Sequence, residues 1–220
     1  ALLLLVGSGL MVRSFQALRN VDPGFRNPED VLLVRLNILP AEVEDPAEVA
    51  RTHQLLSQRL ARLPGVTVVG LSSSVTMDGF DSNDPVFVEG FPVPEGQVPP
   101  IRRFKWVGED YFTAMRIPLV AGRAIDWGDS FDLNHVAMVT ESFAREYWDT
   151  PADAVGRRIS TGLSSGGWAE IVGVTGNERD DGLDQDPTAV IYWPLMQRNL
   201  YRNELPGEGG APEVVARRSM

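Results

Sequence analysis

The sequence predicts a mixed α/β domain hung from the end of a transmembrane helix, with a subdomain inserted into it. Three observations point that way. Residues Ala1 to Val12 carry no charge and only one polar side chain, Ser8. Residues 31–71 read as strand, amphipathic helix and strand with short joins. From Ser72 to Pro100 the composition then turns to Ser, Asp, Gly and Pro, the mark of an insertion.

The opening run sets the architecture. As a helix its twelve residues rise about 18 Å, against a hydrocarbon core of about 30 Å, too short for a whole span, so the simplest reading is the last half of a membrane helix. A secretory signal would place positive charge before the apolar run, whereas Arg13 follows it and Ser14-Phe15 is a poor cleavage context. A buried core helix is the other reading of a run this long, but Leu2 to Val6 is apolar all round. Arg13, Arg19 and Arg26 after the run favour a cytoplasmic flank. Large domains cross largely regardless of that rule, so the charges do not fix the side.

Composition excludes more than it assigns. The 220 residues are 43% hydrophobic, enough for one good core or two small ones. A formal charge of −10 is wrong for binding a polyphosphate backbone, so no nucleic-acid partner is expected. With no cysteine, disulfides and thiolate metal sites are ruled out, which fits an extracytoplasmic domain and many cytosolic ones too.

Taken in order, Phe15, Leu18 and Val21 continue the helical pattern until Asp22-Pro23-Gly24-Phe25 ends it with turn chemistry. Val31 to Ile38 reads as a strand with a buried face. Asp45-Pro46-Ala47-Glu48 opens a helix: Asp45 caps, Pro46 takes the first turn, and Glu48 completes a capping box. Val49, Leu56, Leu60 and Leu63 form its apolar face, and Pro64-Gly65 stops it. Val66 to Leu71 is the next strand, completing a βαβ unit of the usual parallel, right-handed kind.

Ser72 to Pro100 reads as an exposed loop with a short edge strand at Val86-Phe87-Val88, since Pro92, Pro94, Pro99 and Pro100 deny it long ladders. Strands follow at Ile101–Val107, Ile117–Arg123, Val136–Val139, Ala169–Val174 and Val190–Leu195, with a helical turn at Asp110–Met115. Thr140 caps a helix over Glu141–Trp148 whose Phe143 and Tyr147 face the core. Arg202 to Pro212 reads as a polar, Gly-rich loop and Val214-Val215-Ala216 as the start of a last strand.

Three stretches resemble chemical sites and each reads better as structure. Gly162-Leu163-Ser164-Ser165-Gly166 matches a nucleophile elbow, but its flanks are both strands and His53 and His135 lie upstream of Ser164. A hairpin turn fits it better. The acidic runs Asp78–Asp84 and Asp180–Asp186 lack calcium-loop spacing and a distal Glu, so solvated loops are expected. His53 and His135 form no metal-ligand motif, and no Walker phosphate loop is present for ATP hydrolysis. No catalytic, cofactor-binding or metal-binding residue is assigned.

The order of elements resembles a known family. Arg13-Ser14-Phe15 with Val21-Asp22-Pro23-Gly24-Phe25 is similar to the exit from the first transmembrane helix of MacB/FtsX-type ABC transporter permeases. Leu63-Pro64-Gly65-Val66, Tyr111 to Leu119, Ala121-Gly122-Arg123, Glu141-Ser142-Phe143-Ala144 and Ile171-Val172-Gly173-Val174 resemble blocks of their MacB-like periplasmic core domain. Asp186-Pro187 with Ile191-Tyr192-Trp193-Pro194 resembles its closing block, and the wording is nearest the orphan permeases of acidobacteria.

The resemblance implies a porter-like α/β lobe with a smaller β-rich lobe inserted. On this sequence that places the end of transmembrane helix 1 in 1–26, the porter-like lobe in 27–85 and 168–220, and the inserted lobe in 86–167. It further implies a permease subunit in the inner membrane with its folded domain in the periplasm. A separate cytoplasmic ABC ATPase would drive it for efflux or export. A periplasmic adaptor and a homodimer are implied as further partners, and the family brings no catalytic residues. A membrane-anchored sensor or adaptor domain is the alternative from another class, and a hydrolase resting on Ser164 the weakest.

Overall fold

The computed structural model describes residues 2–19, 21–35, 46–79, 82–132, 134–161, 167–195 and 213–218. It opens with the helix α1 (Leu2–Arg19). Strand β1 (Val31–Arg35) and helix α2 (Pro46–Ala61) follow, then β2 (Val66–Ser72), β3 (Asn83–Pro85), β4 (Phe87–Val88) and β5 (Ile101–Val107). Next come α3 (Tyr111–Met115), β6 (Leu119–Gly122), α4 (Trp127–Phe131), β7 (Val136–Thr140) and α5 (Glu141–Tyr147). The chain continues through β8 (Arg158–Ser160), β9 (Ala169–Thr175), β10 (Val190–Pro194) and β11 (Glu213–Arg218).

The described strands form one eleven-stranded mixed sheet in the order β1-β11-β2-β5-β10-β7-β9-β8-β4, with β3 on β5 and β6 on β9. The expected βαβ unit is present but split. β1 and β2 each pair antiparallel with β11 and so run parallel to one another, with β11 between them. A strand from the far end of the sequence fills the gap that a local reading closes. Around the centre, β5 pairs parallel with β10 and β7 parallel with β9. Strands from within 86–167 therefore share one ladder with strands from outside it.

Strand β1 corrects a sequence expectation. Val31 packs on the core, but Leu32, Leu33 and Val34 are exposed, because β1 is the edge of the sheet while α2 and α3 pack on β2 and β11. Residues 36–38 of the expected strand, and Asp45 as a cap, lie outside the described residues. The buried face of α2 is also narrower than its leucines suggest. Ala50, His53 and Ser57 sit deepest, Leu56 and Leu60 pack beside them, and Leu63 is exposed. Small side chains let the helix approach β2 closely.

Two core layers lie on the two faces of the sheet, since residues alternate between them along each strand. Tyr192 and Met138 join Tyr111, Phe112 and Met115 of α3. Ile191, Trp193 and Val139 join Phe143 and Ala144 of α5. The α5 cap is as expected, with the Phe143 amide donating to Thr140 Oγ1 at 3.4 Å. Helix α4, which the sequence reading passes over, is held by a reciprocal cap between Asp126 and Asp129.

Helix α1 leaves its described apolar side chains outside these layers. Leu3, Leu4 and Leu5 are 89%, 79% and 72% exposed, and Leu10, Met11, Val12 and Phe15 are exposed as well. These side chains are not part of the core described above. Among the described residues, no helix is long and apolar enough to cross a membrane.

Candidate functional site

The chain leaving α1 meets the folded body at one place. Asp22 Oδ1 accepts the Gly24 amide at 2.9 Å, closing the turn that Pro23 forces. Gly24 adopts φ +91°, and a Cβ there would lie 2.1 Å from the carbonyl oxygen of Asn177. Next to it, the Arg179 amide donates to the Pro23 carbonyl at 3.0 Å. Phe25 then enters the core beside Tyr111 and Met115, and the Arg26 amide donates to the Met115 carbonyl at 3.4 Å. The turn breaks the helix as the sequence reading expects, but it is clamped against residues 177–179.

That loop, running from the end of β9, is tied to several elements at once. The Gly176 amide donates to the Pro118 carbonyl at 2.8 Å, ahead of β6. Asn177 Oδ1 accepts the Ser142 amide at 2.7 Å, covering an orphan donor in the first turn of α5. Glu178 is fully buried and accepts hydrogen bonds from Thr76 Oγ1 and from the Tyr192 hydroxyl. Lys105, 0% exposed, places Nζ 3.2 Å from Glu178 and 2.9 Å from Asp180. Arg103 reaches Asp180 at 3.1 Å and Asp181 at 2.7 Å.

This cluster balances internally. The deeply buried groups are two cations, Lys105 and Arg103, and two carboxylates, Glu178 and Asp180. Burial alone would lower the Lys105 pKa, yet the adjacent Glu178 and Asp180 charges outweigh it and hold the ammonium well above its ordinary range. Burial, reinforced by the Glu178 charge, raises the hydroxyl pKa of both Tyr111 and Tyr192. Lys105 is thus a fixed charge and the Tyr192 hydroxyl a fixed donor to Glu178, which suits a structural lock and not proton transfer.

The serine-rich stretch before it also departs from expectation. Ser72, Ser73, Ser74, Val75 and Thr76 are buried, not exposed. Their hydroxyls find partners inside: Ser73 Oγ accepts the Trp106 amide at 3.1 Å, and Ser72 Oγ donates to the Ser74 carbonyl at 2.5 Å. The short edge strand is present as β4, at the end of the sheet.

The two acidic runs come together here. Met77, Asp78, Gly79, Arg103, Asp180, Asp181 and Gly182 line an open cleft of about 360 Å³. Their carboxylates are already engaged: Asp78 Oδ2 accepts the Val75 amide at 3.0 Å, and Asp181 accepts from Thr188 Oγ1 at 2.9 Å. Among the described residues no three metal-ligating side chains converge. His53 is buried on α2 with Nδ1 2.9 Å from the Val49 carbonyl, and burial lowers its pKa. His135 sits before β7, and Ser164 with the rest of the elbow-like turn lies outside the described residues.

Sequence reasoning missed Lys105, Arg103 and Glu178. The signal was present in β5, where Arg103, Lys105 and Val107 alternate with Phe104 and Trp106. The cations take the deeper face and the aromatics the half-buried one, the reverse of what hydropathy suggests.

Solved structures share this fold. The periplasmic region of MacB from Actinobacillus actinomycetemcomitans superposes with a TM-score of 0.52 at 12% identity, over 90% of this chain and 80% of that one. A domain described as coming from a permease protein of Porphyromonas gingivalis gives 0.50 at 15% identity, over 89% and 77%. No curated protein is significantly similar to the sequence. The family model of the MacB-like periplasmic core domain matches residues 5–216, and the chain belongs to that family.

Proposed function

We propose that this domain is the periplasmic part of an ABC transporter permease subunit that carries ATP-driven motion from α1 into the folded body, for efflux or export. The observation that carries this reading is the apolar, exposed α1 clamped at Pro23 and Gly24 to residues 177–179. A helix whose leucines find no protein core is suited to lipid, and the clamp leaves little slack between it and the sheet. ATP is hydrolysed by a separate cytoplasmic subunit, and the subunit sits in the inner membrane. A periplasmic adaptor and a second permease copy complete the assembly. The division into a porter-like lobe, 27–85 with 168–220, and a smaller lobe, 86–167, remains part of this proposal. It would cut across the β5–β10 and β7–β10 pairings.

The test uses the intact permease reconstituted with its ATPase. Spin labels at Leu10→Cys on α1 and Glu146→Cys on α5 report the distance between stem and body; this chain contributes no cysteine of its own. Nucleotide binding is expected to change that distance. A distance distribution that is the same with and without ATP sinks the proposal.

A further inference from the structure

We propose that Lys105 is the far anchor of the α1 stem: its buried pairs with Glu178 and Asp180 hold the loop 177–182 where it receives the exit turn. The two ends of that loop do different jobs. At 177–179 it grips Pro23 and Gly24. At 180–182 it forms one wall of the cleft lined by Met77, Asp78 and Arg103. Lys105 sits between those ends, 3.2 Å from Glu178 and 2.9 Å from Asp180, on a central strand paired with β10.

Within the loop the Arg179 guanidinium donates to the Gln185 carbonyl, and the remaining backbone bonds are longer. The Gly182 amide reaches the Arg179 carbonyl at 3.4 Å and the Thr188 amide reaches the Glu178 carbonyl at 3.3 Å, both long bonds. Gly176 on Pro118 and Ser142 on Asn177 fix the start of the loop, while the pairs with Lys105 fix Glu178 and Asp180, so a stem displacement that moves Arg179 moves the cleft wall with it. Lys105 is a positioning residue: it touches neither stem nor cleft opening, and acts through Glu178 and Asp180.

Amide hydrogen exchange on the intact chain tests this. Lys105→Met with Glu178→Gln removes one buried charge of each sign and leaves Arg103 facing Asp180. The expected result is a tenfold or greater rise in exchange at the Arg179 and Gly182 amides, with Tyr192 and Trp193 in β10 unchanged. A spin label at Val12→Cys should become more mobile in the same variant. Arg102→Ala, which breaks the exposed Arg102–Glu146 pair on the same strand, should alter neither readout. If the double variant does not fold, Thr76→Val with Tyr192→Phe removes both neutral donors to Glu178 and should give a smaller rise at the same two amides. Unchanged exchange at Arg179 in a folded variant, or an equal rise at Arg179 and Tyr192, overturns the proposal. Neither readout requires ATP or a partner, so its failure is separate from failure of the transport reading.

Discussion

Gly24 and Asn177 touch through their backbones: a single methyl on Gly24 would sit 2.1 Å from the Asn177 carbonyl oxygen. Gly65 shares the left-handed conformation, φ +84° against +91°, but has open space around it. Comparing the two separates conformational strain from steric exclusion. Gly65→Ala is expected to cost about 1 kcal/mol, the penalty of a side chain in that region. Gly24→Ala should cost about 3 kcal/mol or more, because the backbone at 177–178 must also shift. Chemical denaturation of both variants reads the difference, and equal costs would mean the contact is not tight.

The α1 leucines make their own prediction. Leu3→Ser, Leu4→Ser and Leu5→Ser together should change the stability of the folded body by less than about 0.5 kcal/mol, as surface substitutions do. Binding to lipid vesicles should weaken by about 2 kcal/mol for each leucine lost. Vesicle flotation and thermal unfolding measure the two effects separately.

Tyr192 donates its hydroxyl to buried Glu178. Tyr192→Phe should cost about 2 kcal/mol, the range for a hydrogen bond to a charged group. Exposed Arg102→Ala should cost less than about 1 kcal/mol, since Glu146 can be solvated once its partner is gone.

Stability should fall with acid in two windows. His53 has a pKa lowered by burial, so the unfolded chain takes up its proton first, and stability declines as pH drops below about 6.5. His53→Gln should flatten that window. Burial opposes ionisation of Asp129, but the paired Arg123 guanidinium and the Asp126 amide prevail and lower its pKa. Its stabilisation is present above about pH 4 and lost as pH falls further. Asp129→Asn should flatten only the lower window. Denaturant midpoints measured from pH 7 to pH 3 resolve both.

Local patterns in the sequence carried much of the fold. Pro46 and Gly65 bounded α2, Thr140 capped α5, and the aliphatic runs located β2, β7, β9 and β10. What stayed hidden depended on pairing between distant segments. No periodicity within Val31–Leu71 announces that β11 slides between β1 and β2. Likewise Ser72 to Thr76 reads as solvent-loving until Trp106 and Glu178 supply partners for its hydroxyls. The acidic run at Asp180 looked like a solvated loop because its counter-ions, Arg103 and Lys105, are encoded far upstream. Buried charge is legible only once both signs are placed in space.

The described strands form one eleven-stranded sheet, yet its β1-β11-β2 part meets β5 at a single register pair, Ser72 with Val107. On the proposed reading, load entering at β5 passes into β10 through five register pairs but reaches β2 through that one alone, so the sheet hands motion on unequally to its two sides.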